Sequence, residues 1–299
     1  MSVFNFGSLN IDHVYRLDHI TQPGETIADQ GLKYMPGGKG LNQSIALAMS
    51  GAEVYHVGCV GNDGNYLVEL LNKNGVQTHY LKTVEEPNGH AIIQVSREGQ
   101  NSIIIHGGSN QCVTAEQVDN TMDVITPQDI VLIQNEISQI PYIVKQCGDR
   151  KIPLAFNPSP FTPELLDEVP FEAVTYLLIN ETEGYQLTQE TSPDKIVDSL
   201  LKRFPQMHIV LTLGAAGVLY ADRFKRLQMA GFHVHAVDTT GAGDTFTGFF
   251  IGFLAQGHSI ELALRYGCAA AAISVTVNGA ATSVPELSTV QEFLANFDR

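Results

Sequence analysis

Positive charge is scarce in this chain. Seventeen Lys and Arg stand against 32 Asp and Glu in 299 residues, a formal charge of −15 at pH 7. That balance excludes general binding to nucleic acid or to an anionic membrane, since both need basic surface. Long apolar runs are also missing: the longest, 247–255 and 268–277, read as buried helix faces or strands and fall short of a bilayer span. Residues 1–7 (MSVFNFG) carry neither the basic region nor the apolar stretch of a secretory leader, so a cytoplasmic protein is expected. Cys59, Cys112, Cys147 and Cys268 are scattered, with no C-x-x-C pair. They read as reduced thiols, not as a disulfide framework or a zinc site. The histidines repeat no ligand spacing; His233 and His235 sit on one face of an alternating segment, 231–237, expected to be a strand. No P-loop occurs, because Gly40 stands where Ser or Thr should follow Gly-Lys.

What the chain does have is core. A hydrophobic content of 44% suffices for a sizeable interior, and no linker, repeat or low-complexity tract divides it. Short apolar runs of strand type occur at 3–6, 53–57, 130–133, 153–156, 176–179 and 209–212, with helical patterns between them at 65–74, 114–124 and 192–204. Alternation of this kind predicts a three-layer α/β fold: a mostly parallel sheet with helices on both faces and its ligand crevice at the carboxyl ends of the strands. Two excursions break the pattern. Residues 88–95 and 101–106 flank a glycine-bearing hairpin turn, and 14–34 hold Pro23-Gly24 between two more strand candidates. These strands extend the main sheet poorly, so a small separate β-sheet is expected.

The most informative stretch runs from Asp238 to Phe246 (DTTGAGDTF), a glycine turn feeding an apolar helix. Successive N–H groups at Gly241, Ala242 and Gly243 can approach one anion there, with the helix dipole behind them, and Asp244 is placed to take a proton from an attacking hydroxyl. A plainly capped helix start is the alternative. A second glycine cluster, Gly37-Gly38-Lys39-Gly40, precedes a second helical segment read at 44–49. These two segments resemble the paired signatures of the ribokinase-like (PfkB) carbohydrate kinases. The likeness extends over nearly the whole chain through Gly7 to Asp12, Asn180 to Glu183 and Gly279 to Pro285.

The resemblance implies an ATP-dependent sugar kinase of one domain, 1–299, with a β-sheet lid formed by excursions near 13–35 and 88–107. In this family the lid covers the sugar and often pairs two subunits. A homodimer is therefore expected, with ATP and a small sugar as ligands. Asn10, Asp12, Gly38, Lys39, Asn42 and Glu136 match sugar-contacting positions; for Asn10 and Asp12 a local turn is the alternative. Asp244 matches the general base, and the N–H groups of Ala242, Gly243 and Asp244 match the anion hole. On the nucleotide side, Asn180 resembles an ATP-contacting residue and Glu183 one that holds Mg²⁺ through water, although a helix cap explains the pair equally well. Thr212, Gly214 and Gly217 resemble the strand and turn beside the phosphates and ribose. Cys268 stands where many ribokinases carry a histidine near adenine. Asp238, Thr240, Ser274, Val277, Gly279 and Ser283 resemble a potassium loop, with a strand and turn closing the sheet as the other possibility. Ribose to ribose 5-phosphate is the leading reaction. The alternatives are another sugar, a deoxy sugar or a nucleoside, or a sugar-binding regulator that has lost the chemistry.

Overall fold

The structure, a computed structural model, describes residues 1–297. Its strands are β1 (Val3–Phe6), β2 (Asn10–Arg16), β3 (Gly31–Gly37), β4 (Val54–Gly61), β5 (Gln77–Val84), β6 (Gly89–Val95), β7 (Asn101–His106), β8 (Ile130–Gln134), β9 (Leu154–Asn157), β10 (Tyr176–Asn180), β11 (His208–Thr212), β12 (Val218–Ala221) and β13 (Arg226–Met229). Its helices are α1 (Lys39–Met49), α2 (Asn65–Lys73), α3 (Ala115–Met122), α4 (Ile140–Arg150), α5 (Leu165–Glu168), α6 (Glu181–Thr188), α7 (Pro193–Arg203), α8 (Ala242–Ala255), α9 (Ile260–Ser274) and α10 (Leu287–Phe297).

Nine strands form the main sheet in the order β13-β12-β11-β10-β9-β8-β1-β4-β5, parallel from β5 to β11 and antiparallel for β12 and β13. Side chains alternate across it. Val3 and Val210 enter a core with residues of α1, α8 and α9, whereas Phe4, Phe6, Ile209 and Leu211 enter a second core with α3, α4 and α7. Two buried layers enclose one sheet, as the alternation of strand and helix predicts.

The second sheet has four strands in the order β3-β2-β6-β7. Its central pair, β2 and β6, is parallel, and the outer pairs are antiparallel. Pairing starts at Asn10, opposite Gly37 and Gly89, so this sheet begins earlier than residue 13 and contains Asn10 and Asp12.

One expected strand is absent. Residues 231–237 are irregular, because Val237 N–H donates to the Val275 carbonyl (2.7 Å) and Gly231 N–H to that of Ala216 (3.3 Å), with no strand alongside. His233 and His235 remain exposed on this segment. The stretch 268–277 resolves as the end of α9 followed by a turn, and no strand forms there.

Close packing of small residues sets the site. A Cβ built on Gly248 of α8 would lie 2.3 Å from Ala46 Cβ of α1, and one on Gly252 would lie 2.0 Å from Ser50 Oγ. Glycine at this i, i+4 spacing makes a groove into which α1 sinks. The first turns of α1 and α8 therefore meet.

Candidate active site

Four adjacent strands of the main sheet end in polar residues: Gln134 on β8, Asn157 on β9, Asn180 on β10 and Thr212 on β11. Register aligns them in pairs, Gln134 with Asn157 and Asn180 with Thr212. Apolar strand bodies keep the sheet buried, and the polar ends open into a crevice of about 200 Å³ lined by Lys39, Asn157, Asn180, Glu183, Gly243 and Asp244, among others. A larger, mainly apolar cavity of about 380 Å³ adjoins it, walled by Gly214, Gly217, His233, Phe246, Cys268 and Ala272. Thr212 and Gly243 line both.

Asp244 lies in the first turn of α8 and is buried, 6% exposed. Its two oxygens are held by amides from α1: Asn42 Nδ2 donates to Oδ2 and Gln43 Nε2 to Oδ1, both at 2.9 Å. The turn before it is left-handed at Gly241 (φ 74°). Ala242 N–H turns back to the Thr239 carbonyl at 3.3 Å, and Thr245 N–H donates to that of Gly241 at 2.8 Å. Among the described residues the N–H groups of Gly243 and Asp244 have no partner, as the first turn of a helix allows. Of the trio expected from the sequence, Ala242 N–H is engaged with Thr239, and those of Gly243 and Asp244 are open.

The α1 turn differs. Gly38 is its N-cap (φ 94°), and the following donors are committed: Lys39 N–H to Glu136 Oε2 (2.9 Å), Gly40 N–H to Ser8 Oγ (3.2 Å) and Leu41 N–H to the Ser8 carbonyl (2.9 Å). Ser8 Oγ also donates to Glu136. Burial pushes the Glu136 carboxyl up, against the pull of the Lys39 ammonium and these donors. Lys39 is itself opposed by burial but driven above its usual range by Asp244, Glu136 and Glu183. It is the local cation that an acidic chain needs if a polyanion is to enter.

Asp12 is half-buried, its carboxyl against Gly37, where an added Cβ would meet Oδ2 at 2.1 Å. Burial, then repulsion from Glu136, raise its pKa to about 7. Asn10 is buried, and its Oδ1 accepts from Asn110 Nδ2 at 2.7 Å. Asn10, Asp12, Gly38, Asn42 and Glu136 therefore gather at the junction of β2, α1 and the end of β8, outside the two cavities described. Asn42 Oδ1 is buried there without a hydrogen-bond partner among the described residues.

Asn180 and Glu183 form a complete capping box: Asn180 Oδ1 accepts from Glu183 N–H (2.9 Å), and Glu183 Oε2 from Asn180 N–H (3.0 Å). The cap and the crevice position coexist, since both residues also line the polar cavity. Gly217 is a packing position as well as a wall, because a Cβ there would lie 2.0 Å from the Met229 carbonyl oxygen. Burial raises the Cys268 thiol to about 12, so it serves as a neutral wall. Asp238 ties two loops together, its Oδ1 accepting from Thr240 N–H (3.0 Å) and Thr240 Oγ1 (2.7 Å) and its Oδ2 from Gly279 N–H (2.9 Å). Burial opposes but these donors outweigh it, holding the carboxyl below its usual range. Ser274 and Ser283 donate their hydroxyls to the Ala271 and Ala280 carbonyls, both at 2.9 Å, and Val277 is exposed.

Sequence inspection missed Gln43, Asn157, Thr247 and Ser8. Asn157 had a signal, a polar residue ending an apolar run as at Asn180 and Thr212. Gln43 had only its place beside Asn42 at the start of a helix.

A parallel sheet whose strand ends open on a polar crevice, with a buried carboxylate beside unpartnered helix N–H groups and an apolar cavity adjoining, defines an α/β enzyme of the ribokinase-like class. The chain belongs to the pfkB family of carbohydrate kinases, whose model matches residues 2–287. It is 36% identical to a ribokinase of Bacillus subtilis over 293 residues, covering 97% of this chain and 98% of the relative. It also resembles the ribokinase of Cryptococcus neoformans solved with ADP (TM-score 0.86, 34% identity, 97% and 99% of the two chains). The ribokinase of Arabidopsis thaliana solved with ribose and ATP is similar as well (TM-score 0.85, 31% identity, 98% of each).

Proposed function

We propose that this carbohydrate kinase transfers the γ-phosphoryl group of ATP to the primary hydroxyl of a pentose, D-ribose giving ribose 5-phosphate. The carrying observation is the pair of unpartnered N–H groups at Gly243 and Asp244, placed where the polar crevice meets the apolar cavity and beside a buried carboxylate. Adenine suits the apolar cavity, with Cys268 and the irregular segment 231–237 as walls, and the phosphates then pass Thr212 and Gly243 toward Asp244. Ribokinase relatives solved with ribose, ATP and ADP support this assignment of ligands.

On the sugar side, Asn10, Asp12, Gly38, Lys39, Asn42 and Glu136 would bind hydroxyls. The buried, unpartnered Asn42 Oδ1 is an acceptor that a sugar hydroxyl would satisfy. Asp244, held by two amides, accepts the proton of the attacking hydroxyl, and the Gly243 and Asp244 N–H groups with Lys39 stabilise charge on the transferring group. Positioning and electrostatics carry most of the acceleration.

Glu183 and Asn180 offer oxygen ligands suited to Mg²⁺ and its waters, and the capping box occupies only one Glu183 oxygen. When bound with the nucleotide, Mg²⁺ supplies neutralisation of the phosphates. Potassium fits the loops joined by Asp238, whose carboxyl stays ionised, with Thr240, Ser274, Val277, Gly279 and Ser283 around it. A bound potassium ion supplies rigidity to the turn that carries Gly243.

The whole chain acts as one catalytic domain, with the four-stranded sheet as a lid. Leu32, Tyr34 and Ile104 are exposed on the same face of that sheet by register, which suits pairing with a second copy. The test is a panel of pentoses, deoxy sugars, hexoses and nucleosides assayed for ATP turnover, with the product located by phosphorus NMR. Ribose should give the highest kcat/KM and a 5-phosphate; a nucleoside or hexose turned over better would replace the assignment.

A further inference from the structure

We propose that Gln43 is a positioning residue for Asp244: its amide, oriented by a buried chain of hydrogen bonds that begins at the Gly7 carbonyl, fixes which way the Asp244 carboxylate faces. The inference deepens the reading of Asp244 as general base and rests on it.

Gln43 is fully buried near the start of α1, and its Nε2 donates to Asp244 Oδ1 (2.9 Å) and to Asn157 Oδ1 (3.2 Å). A side-chain amide has two ends. Flipped, Gln43 would set an oxygen against the carboxylate and repel it. The polarity of the surrounding chain decides the matter from its far end.

His56 Nε2 lies 3.1 Å from the Gly7 carbonyl, which only accepts, so Nε2 carries the proton. Complete burial lowers the His56 pKa to about 4, so the ring is neutral and Nδ1 is an acceptor. Ser44 Oγ, 2.8 Å from Nδ1, must then donate to it and accept from Asn5 Nδ2, also at 2.8 Å. Asn5 Nδ2 further donates to the Gly40 carbonyl at 2.8 Å, which confirms which end of that amide is nitrogen. Its Oδ1 therefore accepts from Gln134 Nε2 (2.8 Å), and the same nitrogen donates to Gln43 Oε1 (2.7 Å). With Oε1 taken, Gln43 can turn only Nε2 to Asp244. One direction makes every link, and Gln134 Oε1 is the buried atom it leaves without a partner among the described residues.

The charged groups acting on this site are few. Lys39 attracts Asp244, Glu136 repels it, and Glu183 attracts Lys39. Gln43 and Asn42 supply the directional contacts, one on each carboxylate oxygen. Without Gln43 a single tether remains, and the carboxylate can rotate away from the substrate hydroxyl.

The test measures kcat and both KM values across pH for the parent, Gln43→Met, Gln43→Glu and Asp244→Ala, with melting temperatures alongside. Gln43→Met keeps length without a donor and should lower kcat roughly ten- to a hundredfold while KM for sugar and ATP stays within about threefold. Gln43→Glu matches the parent in shape and places a second carboxyl on Asp244, so the acid limb of kcat should move to higher pH. A purely structural role would lower the melting temperature and leave the limb in place. If Gln43→Met fails to fold, the isosteric Glu variant reads the same profile. Parental kcat and an unmoved acid limb in the folded variants, with Asp244→Ala inactive, overturn the inference alone. Near-parental turnover by Asp244→Ala overturns the base reading beneath it.

Discussion

Two glycine turns feed two helices in this molecule, and they do opposite work. The turn before α1 commits its N–H groups to Glu136 and Ser8, whereas the turn before α8 leaves those of Gly243 and Asp244 unpartnered. One turn is a joint and the other a socket. Glycine at Gly40 serves close packing, since a Cβ there would lie 2.2 Å from Ser8 N; glycine at 243 leaves space, with nothing within 4 Å of an added Cβ. A glycine-rich helix start is therefore an anion site only where its donors remain unspent.

Removing the carboxylate that the α1 joint holds in place should have the largest effect. Asp244→Ala should fold and bind sugar yet lose roughly 10²–10⁴-fold in kcat. Coupled-enzyme turnover with calorimetric sugar binding checks it, and a loss of only a few-fold would dissolve the contrast between the turns.

Exchanging the same substitution between the turns sharpens the comparison. Gly243→Ala adds a methyl to the wall shared by both cavities and should cut kcat roughly a hundredfold with an unchanged melting temperature. Gly40→Ala should instead destabilise the fold by about 1–3 kcal/mol, read from denaturant midpoints.

Asp12 gives a pH signature confined to the sugar side. Its pKa of about 7 lies above the unfolded value, so ionisation opposes folding and stability from this group falls as pH rises from about 4 to 7. Sugar binding has the opposite sign, because a carboxylate accepts hydroxyl donors better than a carboxyl. KM for sugar should fall several-fold between about pH 6 and 8 while KM for ATP holds, and Asp12→Asn should flatten the trend.

The smallest effect concerns the loops behind the socket. Exchanging sodium for potassium at fixed ionic strength and saturating Mg²⁺ should raise kcat modestly, and Asp238→Asn should abolish the response. Equal rates in both salts would remove the ion from the account.

Much of this was legible in the sequence for a physical reason. Apolar runs ending in a polar residue mark the carboxyl ends of β9, β10 and β11, and Gly241 to Asp244 marks the start of α8. The edge strands β5 and β13 escaped notice because they are half exposed and rich in polar residues, with no apolar run to mark them. Segment 231–237 alternates like a strand but has no neighbour to pair with, so its pattern misled. The difference between the two turns was illegible. It depends on Ser8 and Glu136 reaching Lys39 and Gly40 from distant parts of the chain, and the Gln43 contact spans 201 residues.

The central claim, that the α8 turn and not the α1 turn receives the transferring phosphoryl group, is tested most directly by backbone amide chemical shifts. Protein labelled with nitrogen-15 would be titrated with ribose, ADP, Mg²⁺ and fluoroaluminate, which mimics the group in transfer. Gly243 and Asp244 should show the large downfield proton shifts of new hydrogen bonds, with Lys39 to Leu41 nearly still. Large shifts at Lys39 and Gly40, with Gly243 and Asp244 unmoved, would contradict it.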